Sequence, residues 1–119
     1  PKATDDDATG SRKDRKRVEA NLRNALYRET RKWSERLGEV EEEIMVLEET
    51  LKEMEQAQND PQFYEDKAGL QVYYAEQAKR RDQLKGLYAE WESIGQRIEE
   101  RETRYRTELE DALGTDIGD

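Results

Sequence analysis

Two runs of residues at alternating steps of four and three, separated by one proline, constrain this chain more than any other feature. The first run is Leu26, Thr30, Trp33, Leu37, Val40, Ile44, Leu47, Leu51 and Met54. The second is Leu70, Tyr73, Gln77, Arg80, Leu84, Leu87, Trp91, Ile94 and Ile98. Such a heptad spacing keeps one stripe of a slightly underwound helix against a partner, so it is the seam of a coiled coil. The break falls at Gln58-Asn59-Asp60-Pro61. There Pro61 disfavours helix at Asp60, and the Asp60 carboxylate is suited to cap the next helical segment. The reading is all-α: two long helices forming an antiparallel coiled-coil hairpin over residues 11–113, with the turn near 58–66. Residues 1–10, PKATDDDATG, read as a disordered linker tail and residues 114–119 as a frayed tail. An opening without Met is expected of a piece cut from a longer protein.

Composition agrees with a thin helical object. Charged residues make up 43% of the 119 and apolar ones 33%, against about 25% and 45–50% in ordinary globular domains. Most side chains must therefore stay wet. Disorder is the competing class for such a composition. Two prolines and seven glycines leave few interruptions to a chain rich in good helix formers.

An antiparallel pair brings together residues whose numbers sum to a constant, and the turn length favours 124. That register pairs Leu26 with Ile98, Leu37 with Leu87, Val40 with Leu84, Leu51 with Tyr73 and Met54 with Leu70. Trp33 and Trp91 would form the largest core layer. An offset of seven also keeps apolar facing apolar. Within the seam, Thr30 would face Ile94, Gln77 would face Leu47, and Arg80 would face Ile44, snorkelling towards carboxylates such as Glu41, Glu43 and Glu48. Phe63 and Tyr64 are expected to fold back and plug the open end beside Met54 and Leu70, since two adjacent rings are poorly left in water.

The chain has neither cysteine nor histidine. Thiol nucleophiles, imidazole bases, a Ser-His-Asp triad and the usual zinc and haem sites are thereby excluded, and no cofactor is expected in this segment. A reaction between paired carboxylates would need a cleft that two helices do not offer. No apolar run approaches the ~18–20 residues of a membrane span, and no phosphate-cradling Gly-Lys-Ser/Thr loop is present. The segment is read as non-catalytic, with no membrane partner.

Charge is segregated. Residues 11–33 hold nine Lys/Arg against three acids, a local charge of +6, whereas residues 34–59 hold two against nine, a local charge of −7. On a helical projection Arg12, Lys13, Lys16, Arg17, Arg23, Arg28, Arg31 and Lys32 share one broad arc, and Val18, Leu22, Ala25, Leu26 and Trp33 the opposite one. Tyr27 falls inside the basic arc, where its ring could stack on a base. Arg97, Arg101, Arg104 and Arg106 return beside this segment in a hairpin, among several acids. A polyanion would be repelled by the turn half and held, if at all, by the other.

The order of these features resembles the C-terminal extension of ABC-F ATPases, proteins with paired ATP-binding cassettes and no membrane domain. The resemblance rests on the basic opening Ser11-Arg12-Lys13-Asp14-Arg15-Lys16-Arg17-Val18-Glu19-Ala20-Asn21-Leu22-Arg23, the Glu-rich heptads, Asn59-Asp60-Pro61-Gln62-Phe63-Tyr64, and Leu87-Tyr88-Ala89-Glu90-Trp91-Glu92. It covers about residues 11–100. It implies an appendage after the second cassette, folded as an antiparallel coiled-coil hairpin, in a cytoplasmic parent whose ATPase chemistry lies outside this segment. In this family such extensions are associated with DNA binding or with ribosome contacts. The implied partners are nucleic acid, as DNA or as ribosomal RNA on the ribosome, and the parent's own cassettes.

The sequence reading is thus a coiled-coil domain that helps its parent bind nucleic acid through Arg12, Lys13, Lys16, Arg17, Arg23, Tyr27, Arg28, Arg31, Lys32, Arg97, Arg101 and Arg104. The alternative is a protein-docking coiled coil with no nucleic-acid contact, using the Glu-rich surface near the turn. Salt separates the two, because phosphate contacts release counterions and apolar docking does not.

Overall fold

A computed structural model describes the backbone of residues 2–114 and the side chains of residues 12–114. Helix α1 spans Lys2–Ala57 and helix α2 spans Lys67–Leu113, with a 3-10 turn at Pro61–Tyr64 between them. The fold is all-α, a hairpin of two long helices. Helix α1 starts at Lys2, so the stretch expected as an irregular linker is helical from its second residue. The expected tail at 114–119 lies, beyond Gly114, outside the described residues. Gly114 itself ends α2 in the left-handed conformation, φ 63°. Its N–H donates to the Glu110 carbonyl at 3.0 Å, a single-bond C-cap that glycine adopts without steric cost.

The turn is built from local hydrogen bonds. At the end of α1 the amides of Gln58, Asn59 and Asp60 each reach back three residues, tightening the last turn as free carbonyls there require. Asp60 is extended, φ −83° and ψ 125°, as a residue before proline should be, and its carboxylate accepts from the Gln62 amide at 3.0 Å. Asp66 then caps α2: its Oδ1 accepts from the Gly69 amide at 3.1 Å. A Cβ on Gly69 would meet Asp66 Oδ2, the end of the capping side chain, which would have to shift to admit it. Phe63 folds inward with its ring 4.6 Å from that of Tyr73, and the Tyr73 hydroxyl donates to the Met54 carbonyl at 2.6 Å. Tyr64 stays on the surface, its hydroxyl donating to the Gln58 carbonyl. Only one of the two adjacent rings therefore plugs the end.

The chain packs as two compact units, Glu35–Gly95 and Pro1–Ser34 with Gln96–Asp119. In the turn unit, Glu35–Gly95, the heptad positions close the core: Val40 is fully buried, Ile44, Leu51 and Ile94 nearly so, and Leu37, Leu47, Met54, Leu84 and Leu87 are half-buried. Each such side chain taken out of water is worth about 1.5–3 kcal/mol at full burial. Gln77, 3% exposed, sits in the seam and accepts a hydrogen bond at its Oε1 from Gln58 Nε2 at 3.0 Å.

The register differs from the one the turn length favours. Cross-helix pairs in this unit are Arg36–Glu90, Glu41–Trp91, Glu48–Tyr88, Met54–Tyr73, Gln58–Gln77 and Glu55–Arg81, whose numbers sum to between 126 and 136 and to 132 on average, nearest the heptad-compatible value of 131. The helices are slipped by one heptad from the expected pairing. That slip puts Val40 level with Trp91, Leu37 with Ile94 and Leu51 with Arg80. Leu70 then falls level with Pro61, beyond the end of α1, where the turn with its inward Phe63 occupies the added length. Arg80 does snorkel to a carboxylate, but to Glu76 on its own helix at 3.0 Å. Trp91 is no core layer either: it is 43% exposed and donates its indole N–H to Glu41 at 3.2 Å.

In the terminal unit, residues 1–34 and 96–119, the α1 seam continues through half-buried Leu22, Leu26, Thr30 and Trp33, and the α2 seam through Ile98, Arg101 and Tyr105. Thr30 satisfies its hydroxyl on the Leu26 carbonyl at 2.8 Å, which lets it stand at a seam position. Among the described residues of this unit, the buried one is a cation. Arg101 is 5% exposed.

Candidate nucleic-acid interface

Helix α1 turns its apolar seam inward in the terminal unit, so the opposite arc faces water. Arg12, Lys13, Lys16, Arg17, Arg23, Tyr27, Arg28, Arg31 and Lys32 are all exposed. Among the described residues, no ion pair holds Arg12, Lys13, Lys16, Arg17, Arg23 or Lys32. Tyr27, 63% exposed, projects from the middle of this face. Helical geometry sets Arg23 and Arg31 one turn to either side of it.

The three arginines of α2 divide. Arg97 is exposed and has no partner among the described residues. Arg101 is turned inward: its Nε donates to Glu29, and its Nη2 lies 4.0 Å from Glu108. Arg104 shares the same carboxylates, 3.4 Å from each. The hydrogen bond from Arg101 holds the Glu29 carboxyl below its usual range, with the charges of Arg101, Arg104 and Arg28 adding to the effect. Arg101 is therefore a buried structural cation where a surface position was expected, whereas Arg104 stays exposed beside it. The sequence carried no signal for Glu29 as their common partner, because it lies on the other helix. Trp33, Arg97, Glu100, Arg101 and Arg104 line a cleft of about 140 Å³ in this unit.

The turn unit carries the opposite sign. Arg36 is its main inter-helix cation, with Nε and Nη2 each 2.8 Å from the Glu90 carboxylate and further contacts to Glu39 and Glu43. The fork with Glu90, then the bond to Glu39, raises the Arg36 pKa further above its already high value. Tyr88 donates to Glu48, which raises the phenol's pKa. Among the described residues no group of three or more acids, His or Cys is placed to hold a metal ion, and no helix is long and apolar enough to cross a membrane.

Fold and surface together define a coiled-coil hairpin with a basic face on one unit and an acidic surface on the other. Comparison with known families supplies the rest: the family described as the ABC transporter C-terminal domain matches residues 26–96. The match spans more than half of the chain, and the chain belongs to that family. No curated protein and no solved structure matches it.

Proposed function

We propose that this chain is the non-catalytic C-terminal domain of an ABC-F-type ATPase in the cytoplasm and that it helps its parent hold nucleic acid, as DNA or as ribosomal RNA. The observation that carries this reading is the exposed arc from Arg12 to Lys32, whose cations exceed what the neighbouring acids can pair. A cation with no protein partner is free to displace counterions from a phosphate backbone, which is the main source of affinity for such surfaces. Arg97 extends the face from α2. Arg101 and Arg104 pair with Glu29 across the helices, which leaves that carboxylate engaged by α2. Tyr27 offers a ring for a splayed base. Family membership supports an association with ATP-binding cassettes, which supply the nucleotide chemistry this segment lacks.

The test is a titration of the chain with labelled duplex DNA, single strands and ribosomes over a range of salt. The reading expects binding at low salt that weakens with a log–log slope of about 0.7–0.9 per phosphate contact. Binding indifferent to salt would favour the second reading, a protein-docking coiled coil. That reading draws on a specific feature of the turn unit, an open apolar groove rimmed by glutamates.

A further inference from the structure

The groove lies between α1 and α2 in the turn unit and has a volume of about 770 Å³. Val46, Leu47 and Leu87 give it an apolar floor, and Gly86 leaves it open on the α2 side. A Cβ added at Gly86 would meet nothing within 4 Å, so the space above this glycine is vacant. Val46 is 65% exposed, so its side chain is accessible to an occupant of the groove. Glu42 and Glu43 stand on the rim. An occupant must therefore bring an apolar or aromatic anchor flanked by cations.

The chain carries that combination itself. Tyr27 is the exposed aromatic of the basic arc and has no ring or hydrogen-bond partner among the described residues. Arg23 and Arg28 flank it, both exposed. The local charges are opposite and nearly equal, +6 over residues 11–33 and −7 over residues 34–59. Opposed patches of this kind steer association and fix its register, while a buried aromatic supplies the anchor.

We propose that the groove receives the Tyr27 face of a second copy of this chain, so that the protein self-associates with the basic segment of one copy on the acidic turn unit of the other. The contact covers the arc that the functional reading assigns to nucleic acid, and the two occupants compete for it. Self-association does not depend on that reading: it stands or falls on the groove, whether or not nucleic acid binds.

Sedimentation velocity on the full chain, from low to high micromolar concentration, tests the proposal. The wild type should shift from monomer towards dimer at ~50 mM salt and return to monomer at ~500 mM, where the Debye length is only a few ångströms. Gly86→Leu, which fills the groove and favours helix, and Tyr27→Ala, which removes the anchor, should each weaken association at least ~tenfold with unchanged helicity. A chain carrying Glu42→Lys and Glu43→Lys and a chain carrying Arg23→Glu and Arg28→Glu should each be monomeric alone and associate when mixed, since the mixture restores opposite charges. A wild type that stays monomeric at low salt overturns the proposal. So does association that survives Gly86→Leu and Tyr27→Ala, or a mixture that fails to associate.

Discussion

Arg36 on α1 grips Glu90 on α2 through two parallel N–H···O bonds of 2.8 Å each, the fork geometry in which a guanidinium and a carboxylate match best. The pair ties the helices of the turn unit together beside the seam and holds the Glu90 carboxyl below its ordinary range. Glu29 is lowered in the same sense by Arg101. A carboxyl lowered in the folded state contributes stability that is fully present above its unfolded value, about 4.3, and is lost as the pH falls through the lower folded value. Urea unfolding followed by circular dichroism should therefore give a midpoint that falls as the pH drops from ~5 to ~3. Glu90→Gln should show a smaller fall, because the variant has already lost the proton-sensitive partner. Exposure of both groups keeps the effect modest.

The heptad slip is open to direct chemical test in a chain with no native cysteine. Leu37→Cys combined with Ile94→Cys should form a disulfide on mild oxidation, because the observed register sets these positions level. Leu37→Cys combined with Leu87→Cys should crosslink poorly. The opposite preference would restore the register in which numbers sum to 124.

Core energetics should track burial and not residue type. Ile44→Ala removes a buried seam side chain and should cost about 2–5 kcal/mol. Met45→Ala, one position along on an exposed side chain, should stay within about 0.5 kcal/mol. Trp91→Ala should fall well short of the ~3–5 kcal/mol of a buried aromatic. Denaturant titrations of the three variants measure all of this, and a Trp91 loss as large as that of Ile44 would place the indole in the core.

At the start of α2, Asp66→Ala should cost about 1 kcal/mol by removing the cap on the Gly69 amide. Gly69→Ala should gain less than the ~1 kcal/mol expected of alanine over glycine in a helix, because its Cβ displaces the capping carboxylate. Thermal melts of the two variants and of the double variant check this: once Asp66 is alanine, the substitution at Gly69 should show its full gain.

Seam positions were legible in the sequence because burial in a two-helix structure repeats every 3.5 residues. All nine named on α1 are buried or half-buried. Register was not, since both seams repeat every seven and a slip of one heptad leaves the pattern unchanged. The turn showed through Asp60-Pro61, whose backbone restrictions act locally. Trp91 misled because its heptad position assigned it inward, whereas its neighbour Glu90 faces Arg36 across the helices and the indole is 43% exposed. Arg101 misled in the opposite direction: a cation reads as surface until its partner is known, and Glu29 lies 72 residues away on the other helix. The groove at Gly86 had no signature, because it arises from how two helices meet.

The central functional claim is that the α1 arc contacts phosphate. Replacing Arg12, Lys16 and Arg23 by Glu in one chain tests it most directly, with affinity for labelled nucleic acid measured at several salt concentrations and helicity monitored in parallel. These positions point away from the seam, so the fold should be unchanged. The wild type should bind at low salt, the triple variant should lose this binding, and single replacements should each flatten the salt slope by about 0.7–0.9. A triple variant that remains helical and binds with the wild-type affinity and salt slope would contradict the claim.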